Sequence, residues 1–378
     1  MRLLKIAVCI ISMMALVLVL FSVVTPQGRA TVKTIGFILH VLPDVPLKPL
    51  HWFTSSPIKA EVFFPLSDEI GTADVYRTAG TDKAAVLLFL GVNPAGRDDE
   101  RVINLAEGLA RSGMVVMIPI SYTMTQFRID SAEVDNLVHA FQYLRNLEYV
   151  DSGRVGMAGF CVGASLSVVA AQDTRISDDV AFINFFGGYF DMKDLLVSIA
   201  SGTRFDKDLH KSWESSDQAW KTFRNHLLES VENLDDLAFL TSVFVDEEVT
   251  ELGRAEDLSP DAAIVYRLLR GLSLEEARNL FSQLPEDFRK NLKSISPNEN
   301  LSNLKAKILI MHDLNDNNIP SEESRRLAIA LKERGNFRHT EFVFFQHVDP
   351  VRMVNPLTWI SDVSKLFFHL YDIIRIAA

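Results

Sequence analysis

The chain has 378 residues, 48% of them hydrophobic, and a formal net charge of −11. That length holds one large domain with an insertion, or two domains. The acidic balance argues against nucleic acid as a partner, because phosphate binding needs clustered basic residues.

Taken in order, the chain opens with Met1-Arg-Leu-Leu-Lys and then an almost unbroken apolar run from Ile6 to Val24. A run of about 18 or more apolar residues can span a bilayer as a helix. No good small-x-small cleavage site follows it. Residues 1–24 are therefore expected to be an uncleaved transmembrane signal anchor, with secretion after cleavage as the alternative. Arg2 and Lys5 favour a cytoplasmic N-terminus and a globular domain outside the cytoplasm. Residues 25–58 carry Pro43, Pro46 and Pro49 among apolar residues. They are expected to form a proline-containing tether rather than a regular helix.

From Lys59 an alternation of strands and helices begins. Glu61–Pro65 and Ala73–Thr78 read as short strands, and Ala84–Leu90 as a continuous apolar, buried one. A Gly/Pro loop follows at Gly91–Asp99, then a helix that Gly113 stops. Met114–Ile120 is the next strand, and Ser131 caps a helix with Val134, Leu137, Val138, Phe141 and Leu144 at helical spacing. Another buried strand runs over Val180–Phe186. Residues 202–300 then break the alternation. Trp220, Phe223, Leu227 and Val231 make a helical stripe, Ser259-Pro260 opens a second helix, and Ser273-x-x-Glu276 is a capping box for a third. This stretch is expected to be an all-helical cap over the C-terminal edge of the sheet. Alternation resumes with strands at Ala306–His312 and Glu341–Phe345 and a C-terminal helix opened by Asn355-Pro356. Strands alternating with helices imply a mostly parallel, doubly wound sheet.

The stretch around which this pattern is organised is Arg154–Ala171: a short strand, a sharp turn Gly159-Phe160-Cys161-Val162-Gly163, and a small-residue helix. In a nucleophile elbow the central residue of such a turn is held above the sheet. Its flanking residues must be tiny, as Gly159 and Gly163 are, because backbones crowd there. The chain has two cysteines, and Cys9 lies in the N-terminal apolar run. A disulfide framework is thereby excluded and Cys161 is left as an unpaired thiol.

A thiol nucleophile needs a base, and the base needs an orienting group. In a doubly wound sheet both belong just past strand ends. His347 is the one histidine that directly follows a strongly apolar strand in a loop, with His312 as second choice. Asp316 and Asp313 compete as the acid, and Asp191 is third. Asp313, Asn315 and Asn317 also match the start of a calcium loop, but its glycine and final Glu are missing. No His/Cys cluster has zinc spacing, and no cofactor is expected. An oxyanion formed in acyl transfer needs two N–H donors. Val162, after the nucleophile, supplies one, and Val92 or Asn93 the other; Pro94 has no N–H.

The order nucleophile, acid, histidine, with a helical insertion after the strand at 180–186, is that of the α/β-hydrolase fold. With cysteine in the elbow, the chain resembles the dienelactone hydrolase family through Gly159–Gly163, the Asp316-x-x-x-Pro320 turn and His347. The resemblance selects Asp316 as the acid. It implies an α/β-hydrolase core at 59–201 and 301–378, which the helical cap expected at 202–300 interrupts. It also implies hydrolysis of a small-molecule ester or lactone through a Cys161–His347–Asp316 triad and a thioester acyl-enzyme. The chain departs from the family in having Ala164 where a second glycine usually follows, in the anchor, and in the insertion. The insertion rebuilds the pocket, so dienelactone itself is not the expected substrate. Two other readings use the same features: acyl transfer to a non-water acceptor, and a membrane-tethered protein of this fold that binds without catalysing.

Overall fold

The computed structural model of the protein describes residues 22, 24–43, 45–67, 69–206, 209–246 and 256–377. Nearly all of the expected anchor at 1–24 lies outside them. Among the described residues, no helix is long and apolar enough to cross a membrane.

Eight strands form the central sheet: β1 (Ile58–Pro65), β2 (Ile70–Arg77), β3 (Lys83–Phe89), β4 (Val115–Pro119), β5 (Val150–Phe160), β6 (Phe182–Phe186), β9 (Lys307–Asp313) and β10 (Phe337–Phe342). The two remaining strands, β7 (Thr203–Asp206) and β8 (Leu209–Ser212), pair with each other outside it. The order across the sheet is β1-β2-β4-β3-β5-β6-β9-β10. The β1/β2 and β2/β4 pairs are antiparallel and all later pairs are parallel. β4 and β6 are buried along their whole length. Their sequences VVMIP and FINFF suit strands covered on both faces. One face packs on the helices Ala132–Arg145 and Val162–Ala170 and on the insertion. The other packs on the helices Pro26–Val41, Glu100–Arg111 and Pro356–Ile374.

Three expectations need correcting. Residues 25–58 are not a helix-free tether, because Pro26–Val41 is a 16-residue helix. Pro26 stands at its first turn, where no N–H is needed, and Thr25 Oγ1 caps Gly28 N at 2.9 Å. The other prolines follow the helix, so the span between is free to wind. Its inner face, Ala30, Thr34, Phe37 and Ile38, is buried. The insertion is not all helical, since it opens with the β7–β8 hairpin before helices begin at Asp217. Finally, the last strand ends at Phe342 rather than running to Phe345. As an edge strand β10 carries the polar residues Arg338, His339, Thr340 and Glu341. The apolar Phe344 and Phe345 turn under the sheet, with Phe345 packing 4.9 Å from the Phe186 ring.

Because Ile38 is buried in the core beneath the sheet, Ile38→Ala should cost about 2–5 kcal/mol. An exposed tether residue would change stability by less than roughly 0.5 kcal/mol. The urea midpoint of the two proteins measures the difference.

Candidate active site

The elbow strand β5 delivers Cys161 to the C-terminal edge of the sheet, and the helix Val162–Ala170 starts at the next residue. Cys161 adopts φ 55° and ψ −135°, a strained conformation for a side-chain-bearing residue. Two backbone bonds hold it there: Cys161 N donates to Phe186 O at 2.9 Å, and Cys161 O accepts from Ala164 N at 3.0 Å. The flanking glycines are sterically required. A Cβ on Gly159 would lie 2.5 Å from Ala164 Cα, and one on Gly163 would lie 2.6 Å from Leu90 O. Gly91, in the loop after β3, presses on the elbow from the other side; its Cβ would stand 2.6 Å from Cys161 Cβ and 3.3 Å from Val162 N.

That contact brings the backbone of the Gly91–Val92 loop beside Val162 N. As the first N–H of its helix, Val162 N has no intrahelical partner. Val92 is buried, and its carbonyl accepts from Gln218 Nε2 at 2.6 Å. The Asn93 side chain is engaged locally, accepting from Ala95 N and donating to Asp99.

His347 follows β10 in a short loop and takes φ 57°. Its Nδ1 lies 2.6 Å from Asp316 Oδ2, and its backbone N donates to Asp313 Oδ2 at 3.1 Å. Both candidate acids therefore touch His347, one at the ring and one at the backbone. Asp313 is further engaged by Arg352 at 2.8 and 3.0 Å and by Asn315 N. Asp316 is oriented by Asn318 N and Ile319 N on Oδ1. His312 stands behind it, 3.4 Å from Oδ2, with its own Nε2 at 2.9 Å from Ile319 O. Asp191 lies elsewhere, capping the helix Met192–Ser201.

The electrostatics tie these groups together. Burial works against a charged His347 ring, but the Asp316 carboxylate and the Cys161 sulfur outweigh it and hold the imidazole well above its ordinary pKa. Burial would likewise raise Asp316, yet the imidazoles of His347 and His312 keep it below the usual carboxylate range. With Nδ1 taken by Asp316, Nε2 is the nitrogen available to the sulfur. It is buried, and the Cys161 sulfur is the group that acts on it.

Residues of the insertion reach this site without any signal in the sequence, Ser216 N among them, donating to Asn317 O at 2.7 Å. Trp213 Nε1 donates to Asp316 O at 2.8 Å, and Gln218 holds the Val92 carbonyl. Tyr122 and Arg128 are not in the wall of the cavity at Cys161. Tyr122 is 72% exposed, and Arg128 pairs with Glu229 of the insertion. Among the described residues, no His, Cys, Asp and Glu group is arranged to hold a metal.

Comparison with known proteins follows the same lines. Residues 83–203 match the model of the dienelactone hydrolase family, which is less than half of the chain. No curated protein matches the chain in sequence. In three dimensions it is similar to an acylaminoacyl peptidase in complex with Z-Gly-Gly-Phe-chloromethyl ketone, at TM-score 0.51 and 14% identity, over 84% of this chain and 42% of that one. An uncomplexed acylaminoacyl peptidase of Pyrococcus horikoshii is similar at TM-score 0.51 and 13% identity over the same shares. A hyperthermophilic esterase of Pyrobaculum calidifontis aligns over 93% of both chains at 14% identity, with a TM-score of 0.47. The chain thus spans 42% of the length of the two peptidases. With the sheet order, the family match and the likeness to the peptidases show that the chain has the α/β-hydrolase fold.

Proposed function

We propose that the protein is a hydrolase of carboxylic esters that uses Cys161 as nucleophile, His347 as base and Asp316 as the group that orients the imidazole. The observation that carries this reading is the 2.6 Å contact between His347 Nδ1 and Asp316, which leaves the buried Nε2 to the Cys161 sulfur. The match of residues 83–203 to the dienelactone hydrolase family supports the hydrolase class.

In the mechanism, the Cys161 thiol gives its proton to His347 Nε2 and the sulfur attacks the ester carbonyl. The resulting oxyanion is met by the N–H of Val162 and by an N–H of the Val92–Asn93 loop. The carbon–oxygen bond to the alcohol breaks, and the leaving oxygen takes the proton from Nε2. Water, deprotonated by the same nitrogen, then attacks the thioester. The acid leaves, and the proton returns to the sulfur. In the same reading the apolar run Ile6–Val24 anchors the chain, with the domain outside the cytoplasm.

Cys161→Ala and His347→Ala should each lower kcat on p-nitrophenyl butyrate by at least about a thousandfold, the scale on which single members of such a triad act. Full activity in Cys161→Ala refutes the nucleophile.

The pH behaviour has a definite sign. His347 is raised, so its contribution to stability is complete below the ordinary histidine value near 6.5 and is lost as pH rises through the raised value. Asp316 is lowered, so its contribution is complete above about pH 4 and is lost as pH falls below that. The stability deficit of Asp316→Asn against the native chain, read by urea unfolding, should therefore be large at pH 6 and shrink toward pH 10. A deficit that grows with pH would contradict the pairing. For the anchor, sealed membrane vesicles with the cytoplasmic face outward should protect the domain from protease; digestion would place it on the other side.

A further inference from the structure

One cavity of about 1330 Å³ begins at Cys161 and His347. It exceeds the roughly 300–1,000 Å³ of ordinary small-molecule pockets, and protein interiors otherwise hold few voids larger than a water. On the other side of the sulfur, toward Met192, Leu195 and Phe223, the free space is only about 30 Å³. A group bound at the sulfur therefore has room to extend in one direction, beneath the sheet.

That direction can be followed on three elements. On β6, Phe182, Asn184 and Phe186 alternate onto the cavity face. From Phe186, beside the elbow, to Phe182 is about 13 Å at ~3.3 Å per residue. The helix Glu100–Arg111 lines the cavity from Glu100 down to Leu109, again about 13 Å at ~1.5 Å per residue. The C-terminal helix lines it from Leu366 to Ile374, about 12 Å on the same measure. Phe37 and Val41 of the helix Pro26–Val41 close the outer wall.

Polarity is graded along this path. The charged lining residues belong to segments at the mouth: Asp99, Glu100 and Arg101 at the head of their helix, Asp349 beside His347, Asp217 in the insertion, and Lys48. Lys48 is bonded to the carbonyl of His40 at the end of its helix. Deeper than Asn104, the described lining is apolar except for Asn184, whose Oδ1 lies 2.9 Å from His369 Nε2. His369 is buried and neutral, its pKa lowered by burial to about 3. A peptide or sugar would leave its polar groups unpaired in such a place, whereas an alkyl chain loses nothing.

The geometry points to a substrate with a linear acyl chain of about ten to twelve carbons, its carbonyl at Cys161 and its tail in the cavity between β6, the helix Glu100–Arg111 and the C-terminal helix. An extended alkyl chain advances about 1.3 Å per carbon, from a carbon–carbon bond of ~1.5 Å in a zigzag. Some ten carbons thus fill the straight part, and the mouth takes the rest. The alcohol or other leaving group faces the charged rim. This assignment rests on the esterase reading for the reaction, and on the cavity alone for the tail.

The test uses the full chain in lipid nanodiscs, so that no detergent tail competes. Across p-nitrophenyl esters from acetate to hexadecanoate, kcat/KM should rise about threefold to fourfold per methylene, the value of burying one CH₂, up to decanoate. It should level or fall beyond dodecanoate. Leu370→Trp, which narrows the deep end, should lower the decanoate-to-butyrate ratio of kcat/KM at least tenfold. Decanoate binding is measured separately by calorimetry on Cys161→Ala, with and without Leu370→Trp, against empty nanodiscs. Binding that Leu370→Trp abolishes supports the cavity even where no ester is cleaved, and in that event the esterase reading alone falls. A flat chain-length series on the native chain, with decanoate bound no better than by empty nanodiscs, overturns the proposal while short-ester cleavage keeps the esterase reading.

Discussion

The crowding of backbone around Cys161 governs where the chemistry of this molecule can stand. A residue with a side chain at φ 55° is strained by about 1–3 kcal/mol. It holds that shape because β5, the following helix and the loop after β3 are packed too closely to let it relax. Gly159, Gly163 and Gly91 are the points of closest approach, each within 2.7 Å of a neighbouring atom for any added Cβ. The same packing that lifts the sulfur also brings the Gly91–Val92 loop alongside the first N–H of the elbow helix. The nucleophile and the oxyanion donors of the proposed mechanism are therefore products of one steric arrangement.

The histidine side is built differently, by hydrogen bonds to a loop rather than by close packing. His347 also sits at positive φ, and two aspartates three residues apart divide the work of holding it. Asp313 takes the backbone N–H and ties it to Arg352, while Asp316 takes the ring. This division explains why the residues alone left the two aspartates in competition. Asp313 ends β9 and Asp316 follows it three residues on, both face the same loop, and beyond the resemblance of the Asp316–Pro320 turn nothing local separates them.

What was legible in the sequence is what is encoded over a few consecutive residues. The strand, tight turn and helix around Cys161, the buried strands of continuous apolar residues and the alternation of strand with helix all read correctly. The failures come where a local rule was outweighed by position. The prolines of residues 25–58 suggested a segment without a helix, yet one sits at a helix start and the others follow its end. The run Glu341–Phe345 looked like a strand, but the strand ends at Phe342 and Phe345 packs against the Phe186 ring instead. Trp213 and Gln218 bond to backbone carbonyls about 100 or more residues away, and nothing in their own neighbourhood marks them.

The cavity shows why likeness to a family speaks to the reaction more than to the substrate. The matched stretch, residues 83–203, contains the Gly91–Val92 loop, the turn at Cys161 and the helix Glu100–Arg111. The outer wall at Phe37 and Val41 and the floor at Leu370 and Ile374 lie outside it. So do Trp213 and Gln218, residues through which the insertion grips the site. The sheet edge is thus the part held in common, and the two helices at the ends of the chain, with the insertion, are the parts that shape what reaches it. A fold carries many functions in this way. Here elements outside the matched stretch supply the outer wall and the floor of the volume in which a substrate would lie.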